Sequence, residues 1–519
     1  MVSLPEPRIK LPHDFRPGVY RGEPGNSQGA GGWSPPEKGA LIPDMVDHEE
    51  PSARGLFGGV FARGGADTSD TAWLQAMLDA EAGLARALER AGLAPAGSGA
   101  AVTEVAQAGN FDVGELGELA ALTGNPVPAL ARALAQRVPP TAAGAVHRGA
   151  TSQDIVDTAA MLLAKRAASG VLADMAQAAA AAAGLADVHR STIMIGRTLL
   201  QQAVPVTFGL LAAGWLTSLD EARAGLAAVS SQRLAVQFGG AAGTLAPLGD
   251  DGPRVVALLA EELGLARPVL PWHTERLRII DLAAALSRVT AALGKIARDV
   301  TLLAQSEIGE VSEGGGDPAP RDGSSPRRGG SSAMPHKHNP VAAIAILGCT
   351  RQAPGLLATL VACAEQELQR AAGAWHAEWE PLTALLRLTG SAASWAADLL
   401  SGLTVDTARM AANLAATKDL PLAEHVTSLL AGVLGGAKAH DLVAEAGQRA
   451  VSAGLPLRDV LLAVPKLEGR LASAGITPEQ IESALEPAGY LGAADAFVTA
   501  ALQVHEALDA TLAGGNDHG

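Results

Sequence analysis

Two kinds of residue are scarce in this sequence, and both shortages exclude classes of protein. Its 519 residues include only two cysteines, Cys349 and Cys363, which are too few for a disulfide framework and lack metal-ligand spacing. We therefore predict that both thiols are inert core residues in a reducing compartment. Aromatic residues make up only 3% of the chain, and alternating β-branched residues are also uncommon, whereas alanine is abundant. This composition predicts an all-α fold with few strands.

The chain also lacks an excess of basic residues and a long apolar run. A formal net charge of −15 argues against nucleic acid as a partner. No run reaches about 18 uncharged apolar residues and the N-terminus has no signal-peptide pattern, so we predict no membrane association and a cytoplasmic location. An anionic substrate would require a locally positive site. Residues 321–338 supply one, with Arg321, Arg327, Arg328, His336, Lys337 and His338 against the single acid Asp322.

Proline, glycine and helical periodicity divide the chain into four predicted regions. Residues 1–54 are rich in proline and glycine and are expected to form an extended or disordered arm. We predict an N-terminal helical domain over 55–150, a central bundle of long helices over 151–403 and a C-terminal helical domain over 404–519. The loop 312–335 inside the central domain is long for a compact protein, and we interpret it as a mobile lid.

Apolar residues at three- and four-residue spacing mark the individual helices. Residues 73–94 form an amphipathic pattern, and a long helical run is expected from Ile155. The strongest pattern predicts an unbroken helix over 279–308, about 45 Å long and packed in a nearly parallel bundle. Its seam consists of Leu282, Leu286, Val289, Leu293, Ile296, Val300 and Leu303. A further helix is predicted over 340–373, with a kink at Pro354.

The densest cluster of chemically useful groups is the segment 329–340, Gly-Gly-Ser-Ser-Ala-Met-Pro-His-Lys-His-Asn-Pro. Its two leading glycines allow positive φ and a close approach to a ligand, and Pro340 suits the first position of a helix. Ser331 would then lie near a helix N-terminus, which favours negative charge. Hydroxyls, an ammonium, imidazoles and an amide in one segment can bind and deprotonate a polycarboxylate.

Four further segments combine polar side chains with turn residues. Residues 147–154 read His-Arg-Gly-Ala-Thr-Ser-Gln-Asp, and residues 196–205 read Gly-Arg-Thr-Leu-Leu-Gln-Gln-Ala-Val-Pro within apparently helical sequence. Residues 237–244, Gln-Phe-Gly-Gly-Ala-Ala-Gly-Thr, indicate a glycine turn, and residues 272–276 read Trp-His-Thr-Glu-Arg. Each segment alone is more often structural than functional, since helix caps and turns explain most such strings.

Together and in this order, the five segments resemble the fumarase/aspartase superfamily and are most similar to its 3-carboxy-cis,cis-muconate cycloisomerase branch. The resemblance covers residues 55–510. It implies a three-domain, all-α fold with a central long-helix bundle. It also implies a homotetramer whose active sites are each assembled from three subunits, a small polycarboxylate substrate and no cofactor.

The resemblance assigns a role to each matching residue. The expected catalytic residues are Ser331 as the base, Lys337 and His147, and Asn339 is expected to hold a substrate carboxylate together with Lys337. Removal of a proton beside a carboxylate requires such donors and cations, because a dianionic aci-carboxylate develops. His147 is predicted to bind substrate or to assist proton transfer. The other predicted substrate-binding residues are Thr151, Ser152, Arg197, Thr198, Gln201, Ser332 and Met334, with Arg63 a further candidate for an outer carboxylate.

Two positions depart from the family pattern. Many lyases of the superfamily have histidine after the threonine of the middle motif, as part of their acid machinery, but this sequence has Leu199. Leucine cannot donate a proton, so the change favours expulsion of a stable anion over expulsion of an amine. His338 stands where the cycloisomerase branch usually has arginine, and this leaves the exact substrate open.

Three functions therefore remain open. The first is a cycloisomerase that interconverts 3-carboxy-cis,cis-muconate and a carboxymuconolactone, and the second is a β-elimination lyase of a substituted succinate such as nitrosuccinate. The third, a catalytically silent structural homologue, is least favoured because the signature residues are retained.

Two other histidines were weighed as site residues. His376 with Glu378 and Glu380 does not predict a metal site, because this alternating spacing on a helix points the side chains in different directions. His273 fits a substrate-binding role and a structural role equally well.

Overall fold

The computed structural model describes residues 55–314, 329–330, 334, 337–463, 469, 472–473 and 475–514. Within these residues the fold is all-α, as predicted, and its strands are confined to two small antiparallel pairs. The predicted arm, 1–54, and most of the predicted lid, 312–335, lie outside the described residues, as do Ser331 and Ser332.

The N-terminal region consists of short helices around one longer helix. In chain order they are α1 (Gly58–Phe61), α2 (Asp70–Arg90), α3 (Ser98–Val105), α4 (Val113–Thr123) and α5 (Val127–Arg137). α2 begins where the Ser69 hydroxyl accepts the N–H of Ala72 at 3.2 Å, and it ends before Gly92, whose φ of 77° breaks the helix. The helix predicted over 73–94 is therefore confirmed, with its boundaries moved toward the N-terminus.

Eight helices, four of them longer than 20 residues, lie in the central region of the described chain. They are α6 (Ser152–Val188), α7 (Phe208–Gln232), α8 (Gly252–Leu263), α9 (Leu277–Leu303), α10 (Val341–Thr350), α11 (Ala353–Ala362), α12 (Ala374–Ala377) and α13 (Trp379–Ser401). The predicted seam of α9 is confirmed, because all seven of its residues from Leu282 to Leu303 are buried. Together with α6, α7, α10 and α13, α9 contributes to one continuous hydrophobic core.

The bundle has two distinct ends, and α6 and α9 begin at the same one. Near their starts, Asp157 of α6 pairs with Arg276, which precedes α9. Beyond their far ends, Arg197 pairs with Glu310. We call these the serine end, after Ser152, and the hairpin end. At 1.5 Å per residue, the 37-residue α6 separates them by about 55 Å.

The segment 196–205 is part of a β-hairpin and not of a helix, so that part of the prediction was wrong. Its strands pair antiparallel with Thr198 opposite Gln201, and they are β1 (Ile193–Thr198) and β2 (Gln201–Thr207). Leu199 and Leu200 make the two-residue turn, with φ of 51° and 63°. Positive φ at both positions is typical of a type I′ turn, which Asn-Gly normally signals. Leu-Leu carries no such signal, so the sequence pattern concealed the hairpin.

Two predicted long helices are shorter than expected. α9 ends at Leu303, because the chain turns through Gly309, whose φ is 63°, toward the strand pair β3 (Val311–Glu313) and β4 (Leu403–Val405). The helix predicted over 340–373 is divided into α10 and α11 and ends at Ala362. Pro354 has no N–H to donate to the carbonyl of Thr350, so the break falls where the kink was expected.

The C-terminal region has a hydrophobic core of its own. Its helices are α14 (Thr407–Ala415), α15 (Ala423–Leu434), α16 (Gly436–Ala453), α17 (Leu457–Ala463), α18 (Pro478–Ala484) and α19 (Ala494–Gly514). The separate core runs from Leu422 to Leu485, whereas Met410 of α14 and Val498 of α19 belong to the main core. The domain limits drawn from the sequence stay a prediction.

Both cysteines are buried, unpaired thiols. Burial raises the pKa of both, and that of Cys349 reaches about 11. A thiol with so high a pKa is protonated at neutral pH and is a weak nucleophile, which agrees with an inert core role.

Two helical stretches have the length and mean hydropathy of a membrane span. They are Ser152–Val188 and Val341–Ala362. This is weak support for a membrane, since core helices of soluble proteins pass the same test. Both stretches contribute residues to the main hydrophobic core.

The seam of α9 generates a prediction about stability. Leu293→Ala removes a fully buried side chain, and we expect the free energy of unfolding to fall by about 2–5 kcal/mol because a cavity remains. Urea denaturation followed by circular dichroism measures the change. The matched control is Leu122→Ala in α4, where the side chain is 81% exposed and the expected change is within about 0.5 kcal/mol. Equal effects of the two substitutions would contradict the assignment of α9 to the core.

Candidate active site

The predicted site residues fall into two groups at opposite ends of the bundle. His147, Thr151 and Ser152 lie at the serine end, around the start of α6. The hairpin end carries Arg197, Thr198 and Gln201 on the β-hairpin, and Lys337 and Asn339 just before α10. Because α6 is about 55 Å long, one chain does not bring the two groups together.

The carboxylate of Asp154 organises the serine end. Its oxygens accept the N–H groups of Thr151 at 3.0 Å, Gly239 at 3.0 Å and Gly240 at 2.9 Å. This side chain is fully buried and connects the start of α6 to the glycine turn of the motif at 237–244. A Cβ atom at Gly240 would lie 2.8 Å from the carbonyl oxygen of Gly149, so the turn has no space for a side chain there. The two motifs are therefore parts of one rigid unit.

His273 completes the set of donors to Asp154. It is buried, and its Nε2 lies 2.7 Å from Oδ1 of Asp154. An ionised carboxylate only accepts hydrogen bonds, so Nε2 carries the proton. Of the two roles that the sequence left open, this contact supports the structural one.

A buried ionic cluster lies next to this unit, one helical turn further along α6. The guanidinium of Arg276 contacts Asp157 at 2.8 Å and Glu378 at 2.5 Å, and Trp375 donates its Nε1–H to Asp157 at 3.0 Å. Burial raises the pKa of Glu378, although Arg276 opposes the shift. Glu378 is thus engaged by Arg276. Across the part of the chain that the structure describes, no three His, Cys, Asp or Glu side chains are placed to hold a metal ion.

The sequence analysis missed Glu81, which contacts His147. Glu81 lies on α2 with its side chain fully buried, and its carboxylate accepts the backbone N–H of His147 at 2.9 Å. The other carboxylate oxygen lies 2.6 Å from Nδ1 of the same histidine. Burial lowers the pKa of His147, but the hydrogen bond and negative charge of Glu81 outweigh it, so the net shift is upward. The sequence signal that could have identified Glu81 is its position as a glutamate on the apolar face of α2.

At the hairpin end, Arg197 is held by a buried carboxylate. Its guanidinium donates to both oxygens of Glu310, at 2.8 and 2.9 Å, and the amide of Asn413 donates to the same carboxylate at 2.8 Å. These contacts connect the hairpin with the segment that leads into β3 and with α14. Arg63, the other candidate for an outer carboxylate, pairs with Asp398 and stacks over Trp395 at 4.2 Å, in a different part of the bundle.

The tip of the hairpin projects away from the chain. Thr198 and Gln201 are exposed, and between them Leu199 is 97% and Leu200 68% exposed. Thr198 and Gln201 of the middle motif therefore point to a space that the described part of the chain does not fill. Large apolar side chains at such exposure are unusual unless another surface covers them.

The ends of the segment 329–340 close on each other. The backbone N–H and the side-chain amide of Asn339 both donate to the carbonyl of Gly329, at 2.8 and 3.2 Å, and Gly330 pairs with His338. Gly329 has φ of 82°, and a Cβ atom there would meet the carbonyl oxygen of Asn339 at 2.3 Å. Gly329 and Asn339 are therefore held next to each other. Lys337 is exposed, and so is Met334.

The strand β3 supports the helix that follows this loop. Both carboxylate oxygens of Glu313 accept N–H groups from the first turn of α10, those of Ala342 at 3.0 Å and Ala343 at 2.8 Å. A carboxylate at this position complements the positive end of the helix dipole. Glu313 thus fixes the start of α10 against β3.

Comparison with known proteins identifies the family of this chain. A family model described as lyase matches residues 66–355, which is more than half of the chain. The chain belongs to this family, within the fumarase/aspartase superfamily. As a member of the fumarase/aspartase superfamily, it is an enzyme.

Two relatives are equally similar to this superfamily member. A 3-carboxy-cis,cis-muconate cycloisomerase from Bradyrhizobium diazoefficiens is 45% identical over 432 residues, which cover 83% of this chain and 93% of the relative. A nitrosuccinate lyase from Streptomyces davaonensis is 45% identical over 448 residues, which cover 84% of this chain and 91% of that protein. The crystal structure of the 3-carboxy-cis,cis-muconate lactonizing enzyme from Pseudomonas putida is 40% identical, with a TM-score of 0.78. The match covers 88% of this chain and 99% of the chain in that crystal structure.

The contacts of Asp154 generate a second prediction about stability. Asp154→Asn leaves one acceptor oxygen where four donors converge, so we expect the free energy of unfolding to fall by about 1–3 kcal/mol. Urea denaturation measures the change. Asp112→Asn is the matched control, because Asp112 is an exposed helix cap on Glu115 and asparagine caps equally well. Similar losses in both variants would contradict the organising role of Asp154.

Proposed function

We propose that this enzyme interconverts 3-carboxy-cis,cis-muconate and a carboxymuconolactone. The observation that carries the proposal is the 45% identity to a cycloisomerase of that name over 93% of its length. The signature residues Ser331, Lys337 and Asn339, and the hydroxyls of Thr151 and Ser152, are all present in this chain. A matching crystal structure of the lactonizing enzyme adds support.

The chemistry follows from the residue types. In the delactonising direction, Ser331 removes the proton beside a carboxylate, and the electron pair of the broken C–H bond forms an aci-carboxylate. Lys337 and Asn339 stabilise that dianion. The C–O bond of the lactone then breaks and its electron pair leaves with the ring oxygen as a carboxylate. In the lactonising direction, the carboxylate adds to the double bond and Ser331 returns the proton.

A second candidate uses the same first step on nitrosuccinate. Removal of the proton is followed by rupture of the C–N bond, so that nitrite leaves with the electron pair and fumarate forms. Two observations favour this candidate: the equal identity to a nitrosuccinate lyase, and Leu199 at the hairpin tip where an acid is not available. Nitrite and carboxylate are both stable anions that need no protonation to leave.

We also propose that the active site is shared between copies in a cytoplasmic homotetramer. The two groups of predicted site residues are about 55 Å apart in one chain, and this separation supports a site built from more than one copy. Leu199 and Leu200 on the projecting hairpin offer apolar surface for such contacts. In this arrangement the hairpin and the signature segment of one copy or two copies meet His147, Thr151 and Ser152 of another.

A substrate panel tests the proposed reaction. Purified protein is offered 3-carboxymuconate, nitrosuccinate, adenylosuccinate and argininosuccinate, and the absorbance of the conjugated acid is followed. We expect kcat/KM for 3-carboxymuconate to exceed that for each of the others by at least about 100-fold. Turnover of nitrosuccinate alone would replace the first candidate with the second. Failure of all four would favour the silent homologue.

Mixed tetramers test the shared site. Ser152→Ala and Ser331→Ala are expected to be inactive as separate proteins while keeping their assembly in size-exclusion chromatography. When the two are co-expressed with different tags, random mixing leaves both positions intact in about a quarter of the sites, and that fraction of wild-type activity should return.

The control for this experiment pairs two changes within one segment. Ser331→Ala mixed with Lys337→Ala should recover nothing, because each site takes the whole segment from a single copy. A site contained in one chain would give no recovery in either mixture, and that result would reject the shared site.

A further inference from the structure

Glu81 is a buried carboxylate without an obvious structural need. The surrounding positions on α2 are apolar, with Leu78, Ala82 and Leu84 all buried. Burial of a carboxylate among apolar side chains is unfavourable unless hydrogen bonds or charges compensate. His147 contacts both oxygens of the Glu81 carboxylate, one through its backbone N–H and the other through its ring. The arrangement is specific to that histidine.

The backbone at His147 is also unusual. Its φ of 55° lies in the left-handed region, which few residues other than glycine adopt. The following turn, from His147 to Ala150, leads directly into Thr151 and Ser152. A strained backbone that is held by a buried carboxylate, beside predicted substrate-binding hydroxyls, is typical of a functional site.

The contact with Glu81 determines which ring nitrogen can meet a substrate. A carboxylate only accepts hydrogen bonds, so the proton on Nδ1 points to Glu81. The other nitrogen, Nε2, is then the one that can contact a substrate, and 26% of the side chain is exposed. The ring of His147 therefore has one orientation, in which Nε2 is the atom that can contact a substrate.

The charges around His147 favour its imidazolium form. The two carboxylates that act on it are Glu81 from α2 and Asp154 from α6, and Asp154 is shared with Thr151, Gly239, Gly240 and His273. The adjacent Arg148 is directed to the carbonyl of Leu93. Burial opposes the charge, yet the net shift of the pKa of His147 is upward.

We propose that Glu81 is a positioning residue that holds His147 as an imidazolium, so that its Nε2–H donates a hydrogen bond to an oxygen of the departing anion. This inference rests on the proposed function, and it applies to a carboxylate and to nitrite alike. The proton stays on Nε2, because the leaving group departs as a stable anion. His147 thereby supplies the positive charge that Leu199 cannot supply from the hairpin.

The pH dependence of kcat/KM tests the inference. Activity should fall as the pH rises through the pKa of His147, because the imidazolium is lost. Glu81→Gln keeps the shape of the side chain and removes its charge, so this alkaline limb should move down by about one pH unit. His147→Gln should lower kcat/KM about 100-fold and remove the limb, and Glu81→Gln should have no further effect on the pH profile in that background.

A matched control comes from a second buried carboxylate and histidine pair. Asp220 of α7 contacts Nδ1 of His505 at 3.0 Å, away from both groups of predicted site residues. Asp220→Asn should leave the position of the alkaline limb unchanged. If the alkaline limb moves equally in Asp220→Asn and Glu81→Gln, the inference is overturned. It is also overturned if the limb does not move in Glu81→Gln. Activity that rises with pH through the same limb would assign His147 as a base and would also overturn it.

A measurement without substrate separates this inference from the proposed function. In protein with labelled histidine, the Cε1–H resonance of His147, identified by its absence in His147→Gln, should titrate above pH 6.5. In Glu81→Gln its midpoint should fall by about one pH unit. An unchanged midpoint rejects the role of Glu81 whatever the substrate panel shows, whereas failure of the panel rejects only the reaction.

Discussion

The length of α6 is the constraint on which the rest of the structure depends. A 37-residue helix is a rigid rod of about 55 Å, with the Thr-Ser-x-Asp motif at its start and the β-hairpin beyond its end. Movement of a surface loop cannot close such a distance within one chain. One chain therefore cannot bring both motif groups into a single site, and the exposed leucines lie on the hairpin at the far end from the Thr-Ser-x-Asp motif.

At each end of the bundle, a fully buried carboxylate positions the predicted site residues. Asp154 connects the start of α6, the glycine turn and His273, whereas Glu310 connects the hairpin, the segment before β3 and α14. Burial of a carboxylate is costly by itself, so N–H donors or a guanidinium surround each one. The result is a firm support, because donors from separate parts of the chain converge on each carboxylate. Residues that bind a substrate depend on such support for their geometry.

The sequence predicted the features that depend on periodicity and on whole motifs. The seam of α9, the helix α2 and the all-α fold follow from apolar spacing, and the motif order identified the superfamily. The features it missed depend on contacts between distant residues. Leu199 and Leu200 adopt a turn that their side chains do not favour, because the pairing of β1 with β2 imposes it. Glu81 is 66 residues from His147, and no local pattern connects them.

The contact between Glu81 and His147 also bears on how a leaving group can depart when the hairpin carries no acid. Family motifs place an acid on the hairpin, and Leu199 removes it there. A charged His147 at the serine end would act on the leaving group without giving up its proton, since an anion needs a positive field and not protonation. That division suits carboxylate and nitrite, and it fails for an amine, which must be protonated to leave. The choice between the two anions then rests on the residues that bind the rest of the substrate, where His338 replaces the arginine of the cycloisomerase branch. An imidazole reaches less far than a guanidinium and offers fewer donors, so His338 cannot make the contacts that an arginine would make at this position.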